Sequence, residues 1–168
     1  MRKLVVILAV AMALAVGGCG KSSEEKAMEQ AIEKGSGGKA DVDLSKQKMT
    51  FQTKEGEKIE IATGGEGIKL PDDFPKDILV YAGTKVESAV KTGDAHQLGL
   101  STPDAPEKVA EAYAAQMKKD GWAEESSMKT PEMTMLQYTK EKRSVMVHIT
   151  KDGDAGTKIM LMAATEKD

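Results

Sequence analysis

STPDAPEKVAEAYAAQMKKDGW, residues 101–122, decides how the rest of this chain is organised. Val109, Ala110, Tyr113, Ala114 and Met117 recur at helical spacing and define one buried stripe. Asp104 or Thr102 is placed to cap the helix, and Pro106 sits in its first turn. Glu107 follows Asp104 by three residues, as in a capping box. Lys118 and Lys119 complement the helix dipole at the far end, and Gly121 supplies a left-handed stop. Trp122 then falls where a helix-ending hydrophobic contact is usual. A single amphipathic helix of this length must lay its stripe on something, and the flanking segments say what.

Those segments read as strands. Val86–Lys91 and Ala95–Ser101 are joined at Thr92-Gly93-Asp94. Beyond the helix come Trp122–Met128, Met133–Lys140, Ser144–Lys151 and Lys158–Thr165, separated by turn signals at Lys140-Glu141-Lys142 and Asp152-Gly153-Asp154-Ala155-Gly156. The order predicts an α+β fold: an antiparallel sheet of about five to six strands with one main helix packed on one face. Period-two alternation puts Val145, Val147 and Ile149, then Ile159, Leu161 and Ala163, on the helix side, with Leu98, Leu100, Leu136 and Tyr138 joining them. This is the expected core of a body spanning residues 84–165.

Upstream, residues 47–62 read as a β-hairpin in which Met49 and Phe51 alternate with Thr50 and Gln52 and Ile59 and Ile61 alternate on the return, with Glu55-Gly56 at the turn. Gly64-Gly65-Glu66-Gly67 breaks the chain. Residues 68–83 carry Pro71 and Pro75, which oppose ladder pairing, so an extended strap pinned by Phe74 and Tyr81 is expected. Hairpin, strap and body make one domain, 47–168. Residues 19–46 read as a tether, with a short helix placing Ala27, Met28, Ala31 and Ile32 together, ended by the Gly35-Ser36-Gly37-Gly38 hinge.

Residues 1–18 read as an export signal. Arg2 and Lys3 precede an apolar run, Leu4–Val16, of 13 residues, short of the roughly 20 that a bilayer-spanning helix needs. The junction Val16-Gly17-Gly18-Cys19 resembles the lipobox cut by signal peptidase II in bacterial lipoproteins. That resemblance implies that Cys19, the one cysteine of the chain, becomes the acylated first residue of the mature protein. Gly20 in place of Asp then points to the outer membrane, facing the periplasm, in a Gram-negative host. An ordinary signal peptide leaving a free thiol and an uncleaved anchor are the competing readings. The segment Leu70-Pro71-Asp72-Asp73-Phe74-Pro75-Lys76-Asp77, with Tyr81 and Gly83, resembles the L-P-x-x-F-P-x-D-x-x-x-Y-x-G pattern of a group of small bacterial envelope lipoproteins. The likeness covers roughly residues 45–165, implies a strap leading into a compact α+β domain, and carries no established activity.

The whole chain has 168 residues, 30% of them charged and 4% aromatic, with a formal charge of −3 that becomes −5 once Arg2 and Lys3 leave with the signal. Interspersed lysines form no basic stripe, which argues against nucleic acid as a partner. The partners expected are the membrane, through lipidated Cys19, and an envelope protein.

The strand face turned away from the helix carries Met133 and Met135, Met146 and His148, and Met160 and Met162. Three accounts stay open. The strap or the hairpin covers this face as a second small core, for which adaptable methionine is suited. Alternatively it is an exposed, rearrangeable surface for a protein partner or a small apolar ligand. Finally, thioethers with an imidazole can hold Cu(I), as a periplasmic carrier would.

No catalytic constellation accompanies these features, and no cofactor or catalytic residue is expected. His96 and His148 are the only imidazoles and lie in no zinc pattern; both read as strand residues on a partly wet face. No nucleophile elbow or phosphate-cradling loop is present. Asp72/Asp73 and Glu124/Glu125 sit among polar residues, and Asp152-Gly153-Asp154 is explained by a hairpin turn rather than a calcium loop. The expectation is a non-enzymatic interaction or assembly module of the cell envelope.

Overall fold

A computed structural model describes residues 21–53, 56–63 and 68–166 of the chain. The expected signal 1–18, Cys19, Glu55 of the hairpin turn and the Gly64–Gly67 breaker lie outside the described residues. The elements in chain order are α1 (Ser23–Ser36), β1 (Lys39–Asp43), β2 (Lys48–Gln52), β3 (Lys58–Thr63), β4 (Lys85–Thr92), β5 (Ala95–Thr102), α2 (Pro106–Lys119), β6 (Ala123–Lys129), β7 (Met133–Lys140), β8 (Arg143–Lys151) and β9 (Thr157–Thr165). All strands join one antiparallel sheet in the order β1-β2-β3-β4-β5-β9-β8-β7-β6.

The fold is α+β with a single antiparallel sheet and two helices, but the sheet has nine strands rather than the five to six expected. Six of them, β4–β9, are those read around the helix. The other three arise because the 47–62 hairpin does not stand apart: β3 pairs with β4, Ile61 opposite Val90 and Ala62 opposite Ala89, and carries β2 and β1 with it. An edge strand with unpaired amides recruits a neighbour wherever one can reach. The stretch expected as a tether, 19–46, accordingly contributes the edge strand β1 and the helix beside it.

Helix α2 lays Val109, Tyr113 and Met117, all at 0% exposure, into a core shared with Leu98, Leu100, Leu136, Tyr138, Val145, Val147, Ile149, Ile159, Leu161 and Ala163. Its ends differ in how they meet expectation. At the C-terminus Gly121 takes φ +82°, its amide donates to Lys118, and Trp122 N donates to Met117 O at 2.9 Å, leaving Trp122 buried against the core. At the N-terminus Ala105, not Asp104 or Thr102, is the cap residue, and no side chain caps the helix. The Asp104 carboxylate is instead occupied by the Tyr81 hydroxyl (2.7 Å) and by Lys108 (3.0 Å).

The strap lies on the helix side of the sheet. Phe74, Ile78 and Tyr81 are buried in the same core, and Phe74 meets the His96 ring edge-on at 5.6 Å. Asp77 fastens it. Its carboxylate accepts two hydrogen bonds from the Arg143 guanidinium (2.9 and 2.8 Å) and one from Lys140 (2.9 Å). Its backbone oxygen accepts from the Trp122 indole at 2.7 Å, and Arg143 stacks on that indole at 4.9 Å. Planar pairing of this kind is among the stronger charged hydrogen bonds available to a protein.

Helix α1 has no buried residue, yet it is held along β1 by a regular ladder. Glu25, Glu29 and Glu33 accept from the outward amides of Leu44 (2.9 Å), Val42 (2.8 Å) and Ala40 (3.1 Å). Four helical residues rise about 6 Å and two strand residues about 6.6 Å, so a glutamate at every fourth residue meets every second amide. The ladder blunts an edge that would otherwise invite pairing. Lys21 bonds to Glu29 and to Asp41 (2.8 Å) at the start of the helix. The Lys21 ammonium and the Val42 amide hold the Glu29 carboxyl below its ordinary range, and the amides of Leu44 and Ser22 do the same for Glu25.

Three outcomes follow from these contacts. Asp77→Ala should lower the unfolding free energy by about 2 kcal/mol in denaturant titration, since it strands Arg143 and Lys140. Arg143 holds the Asp77 carboxyl below its usual value of 3.8, so its stabilisation is complete above that value and is lost as pH falls below it. In the Asp77→Ala chain, the acid limb of stability against pH should be correspondingly shallower. Glu29→Ala should abolish hydrogen-exchange protection at the Val42 amide while leaving that of Val147, in the centre of the sheet, unchanged.

Candidate functional site

The face of the sheet opposite α2 is built by strand register. Met135 on β7, His148 on β8 and Met160 on β9 stand directly opposite one another, and Met128 on β6 extends that row. A second row runs Gln137, Met146, Met162, Gln97. Met133 lies in a third row with Thr150 and Lys158. All six expected residues, Met133, Met135, Met146, His148, Met160 and Met162, therefore share one face, and the register adds Met128. Six of the chain's 11 methionines are gathered there.

The strap does not cover them, because Phe74, Ile78 and Tyr81 pack on the helix side. Nor does the hairpin: β2 is four strand positions from β9, about 19 Å along the sheet. Met160 and Met128 are 41% and 45% exposed, and the others are half-buried. Beyond exposed Gln97 the second row continues through half-buried Val90, Ile61 and Met49 and ends at Val42, which is 1% exposed. Gln97, Gln137, Thr150 and Lys158 interrupt or border this surface with polar groups.

Within the cluster, His148 Nε2 is shut off from solvent and has no hydrogen-bond partner among the described residues. Its nearest neighbours on the face are Met135, Met160, Met146 and Thr150, and the Thr150 hydroxyl is turned to the Lys158 carbonyl. The Met160 sulfur accepts from the Gln97 side-chain amide at 3.0 Å. His96 is placed differently from expectation: it faces the core, 6% exposed, where burial lowers its pKa.

Among the described residues no three His, Cys, Asp or Glu side chains converge. The Tyr138 hydroxyl is pushed up to about 12 by burial and has no partner among the described residues. An open groove of about 900 Å³ separates β2 and β3 from the start of the strap, but Lys46, Lys48, Lys69 and Lys91 on its walls are balanced by Glu60, Asp72 and Asp73. Lys48 and Lys91 are already paired with Glu60 and Asp73. Among the described residues no helix is long and apolar enough to cross a membrane.

A family model described as START domain-like matches residues 84–157, from β4 into β9. Among curated proteins and among solved structures, nothing matches the chain. The matched span holds α2 and most of the methionine face, leaving out α1, β1–β3 and the strap.

The two faces should respond oppositely to substitution. Leu161→Ala, at 0% exposure, should cost about 3 kcal/mol. Met160→Gln, one residue along and outward, should change stability by less than about 0.5 kcal/mol in the same titration.

Proposed function

We propose that this chain is a bacterial lipoprotein, anchored through acylated Cys19, whose domain serves as a non-catalytic interaction module in the cell envelope. The observation that carries the docking role is the uncovered apolar face of β6–β9, continued by Val90, Ile61 and Met49. A soluble domain with one sheet face on its core ordinarily makes the other polar. A contiguous, adaptable apolar patch bordered by polar side chains instead suits a protein surface. The occupant proposed is an envelope protein presenting an apolar patch, and the anchor, on the outer membrane facing the periplasm, restricts the search to that surface. The lipobox resemblance at Val16-Gly17-Gly18-Cys19 supports the anchor, and acyl chains on Cys19 supply the multiple lipids that stable attachment needs.

A second reading, a periplasmic carrier of a small ligand on the same face, is favoured by the START domain-like match, which suggests a ligand-binding fold. The side between α2 and the sheet is filled by Leu98, Tyr113, Met117 and Val147, each at 0% exposure. A carried ligand therefore belongs on the methionine side.

Two measurements test the docking proposal. Cys19→Ala should move the product from the membrane to the soluble fraction of cells; retention in membranes refutes the anchor. A photo-crosslinking residue at Met160 should trap one recurrent envelope protein in intact cells, whereas the same residue at exposed Lys118 should not. Equal products from both positions would refute the docking face.

A further inference from the structure

The geometry points to a Cu(I) site formed by His148 with the thioethers of Met135 and Met160. It rests on the carrier reading and names the ligand that reading leaves open.

Three observations converge on it. Register fixes the ligand set: Met135 and Met160 are the direct cross-strand partners of His148 on its two sides. Directly opposed positions hold their Cβ atoms about 5 Å apart, within reach of a flexible thioether on either flank of the imidazole. The nitrogen is available: His148 Nε2 is hidden from solvent without a hydrogen-bond partner among the described residues. An imidazole nitrogen buried that way is costly unless something engages it, and its neighbours on the face offer sulfur. Third, the surroundings select the metal. Thioethers and imidazole favour soft Cu(I) over hard cations that take carboxylate and carbonyl oxygens. The flanking positions Met146 and Met162 are thioethers too, and no carboxylate stands in the Met135-His148-Met160 row or in the row containing Met146 and Met162 from Gln137 to Gln97.

The Met160 sulfur is already oriented, since the Gln97 amide donates to it at 3.0 Å and leaves a second lone pair free. Its 41% exposure provides the route of entry. Binding needs no oxidant and no bond cleavage: a neutral nitrogen and two neutral sulfurs donate lone pairs to a monovalent cation.

The test is anaerobic titration of the full chain carrying Cys19→Ser, so that no thiol competes, with Cu(I) delivered from a chromogenic chelator. One Cu(I) per chain should be withdrawn from the chelator. Met135→Leu/Met160→Leu, which conserves volume and so keeps the fold, should weaken uptake at least 30-fold. His148→Gln should do the same, and Met28→Leu should not. In the parent chain the imidazole proton resonances of His148, and not those of His96, should shift on metal addition. A chain that leaves Cu(I) with the chelator, or whose uptake survives both the double methionine and the histidine substitutions, overturns the site. A carrier of an apolar molecule would be read separately, by methyl shifts of Met146 and Met162 on titration with laurate.

Discussion

Asp77 is the point on which the architecture turns. Its carboxylate and backbone oxygen together touch Arg143 and Lys140 at the β7–β8 turn and Trp122 at the exit of α2. Lys140 also donates to the Asp120 oxygen at the helix end. Three segments distant in sequence thus meet at one acid. Because strap residues Phe74, Ile78 and Tyr81 are buried in the common core, the acid fixes which side of the sheet the strap takes. That choice leaves the methionine side uncovered, so the candidate site exists because of a contact made on the opposite face.

Much of this was legible in the sequence, wherever periodicity alone carries the information. The α2 stripe, the alternation of Val145/Val147/Ile149 and Ile159/Leu161/Ala163, and the glycine stop at 121 are local signals. The N-terminal strand was illegible because Lys-Ala-Asp-Val-Asp has one large apolar residue, Val42, and its burial depends on a helix beside it rather than on alternation. The missing α2 cap has a similar cause: Asp104 is a capable cap, but the Tyr81 hydroxyl, 23 residues away, claims its carboxylate.

The candidate face was legible in composition and not in extent. Period two places each methionine pair on the outward side, but only register says which residues stand opposite one another. Met128 joins the row by pairing with Met135, and the hairpin residues join through β3 and β4. Neither pairing leaves a mark in either segment alone. The Asp77–Arg143 pair, 66 residues apart, is invisible for the same reason.

The glutamate ladder on β1 behaves like a vernier. Sliding α1 by one residue would present Lys26, Gln30 and Lys34, or Glu24, Met28 and Ile32, to the three amides, and neither set offers three carboxylates. The helix thus has one seat on the strand, and Lys21, bonded to Glu29 and Asp41, sits at its head. Two residues span at most about 7 Å. On the lipoprotein reading proposed above, an anchor two residues before Lys21 would join the domain at its β1 rim, at the opposite end of the sheet from the β6–β9 methionine rows.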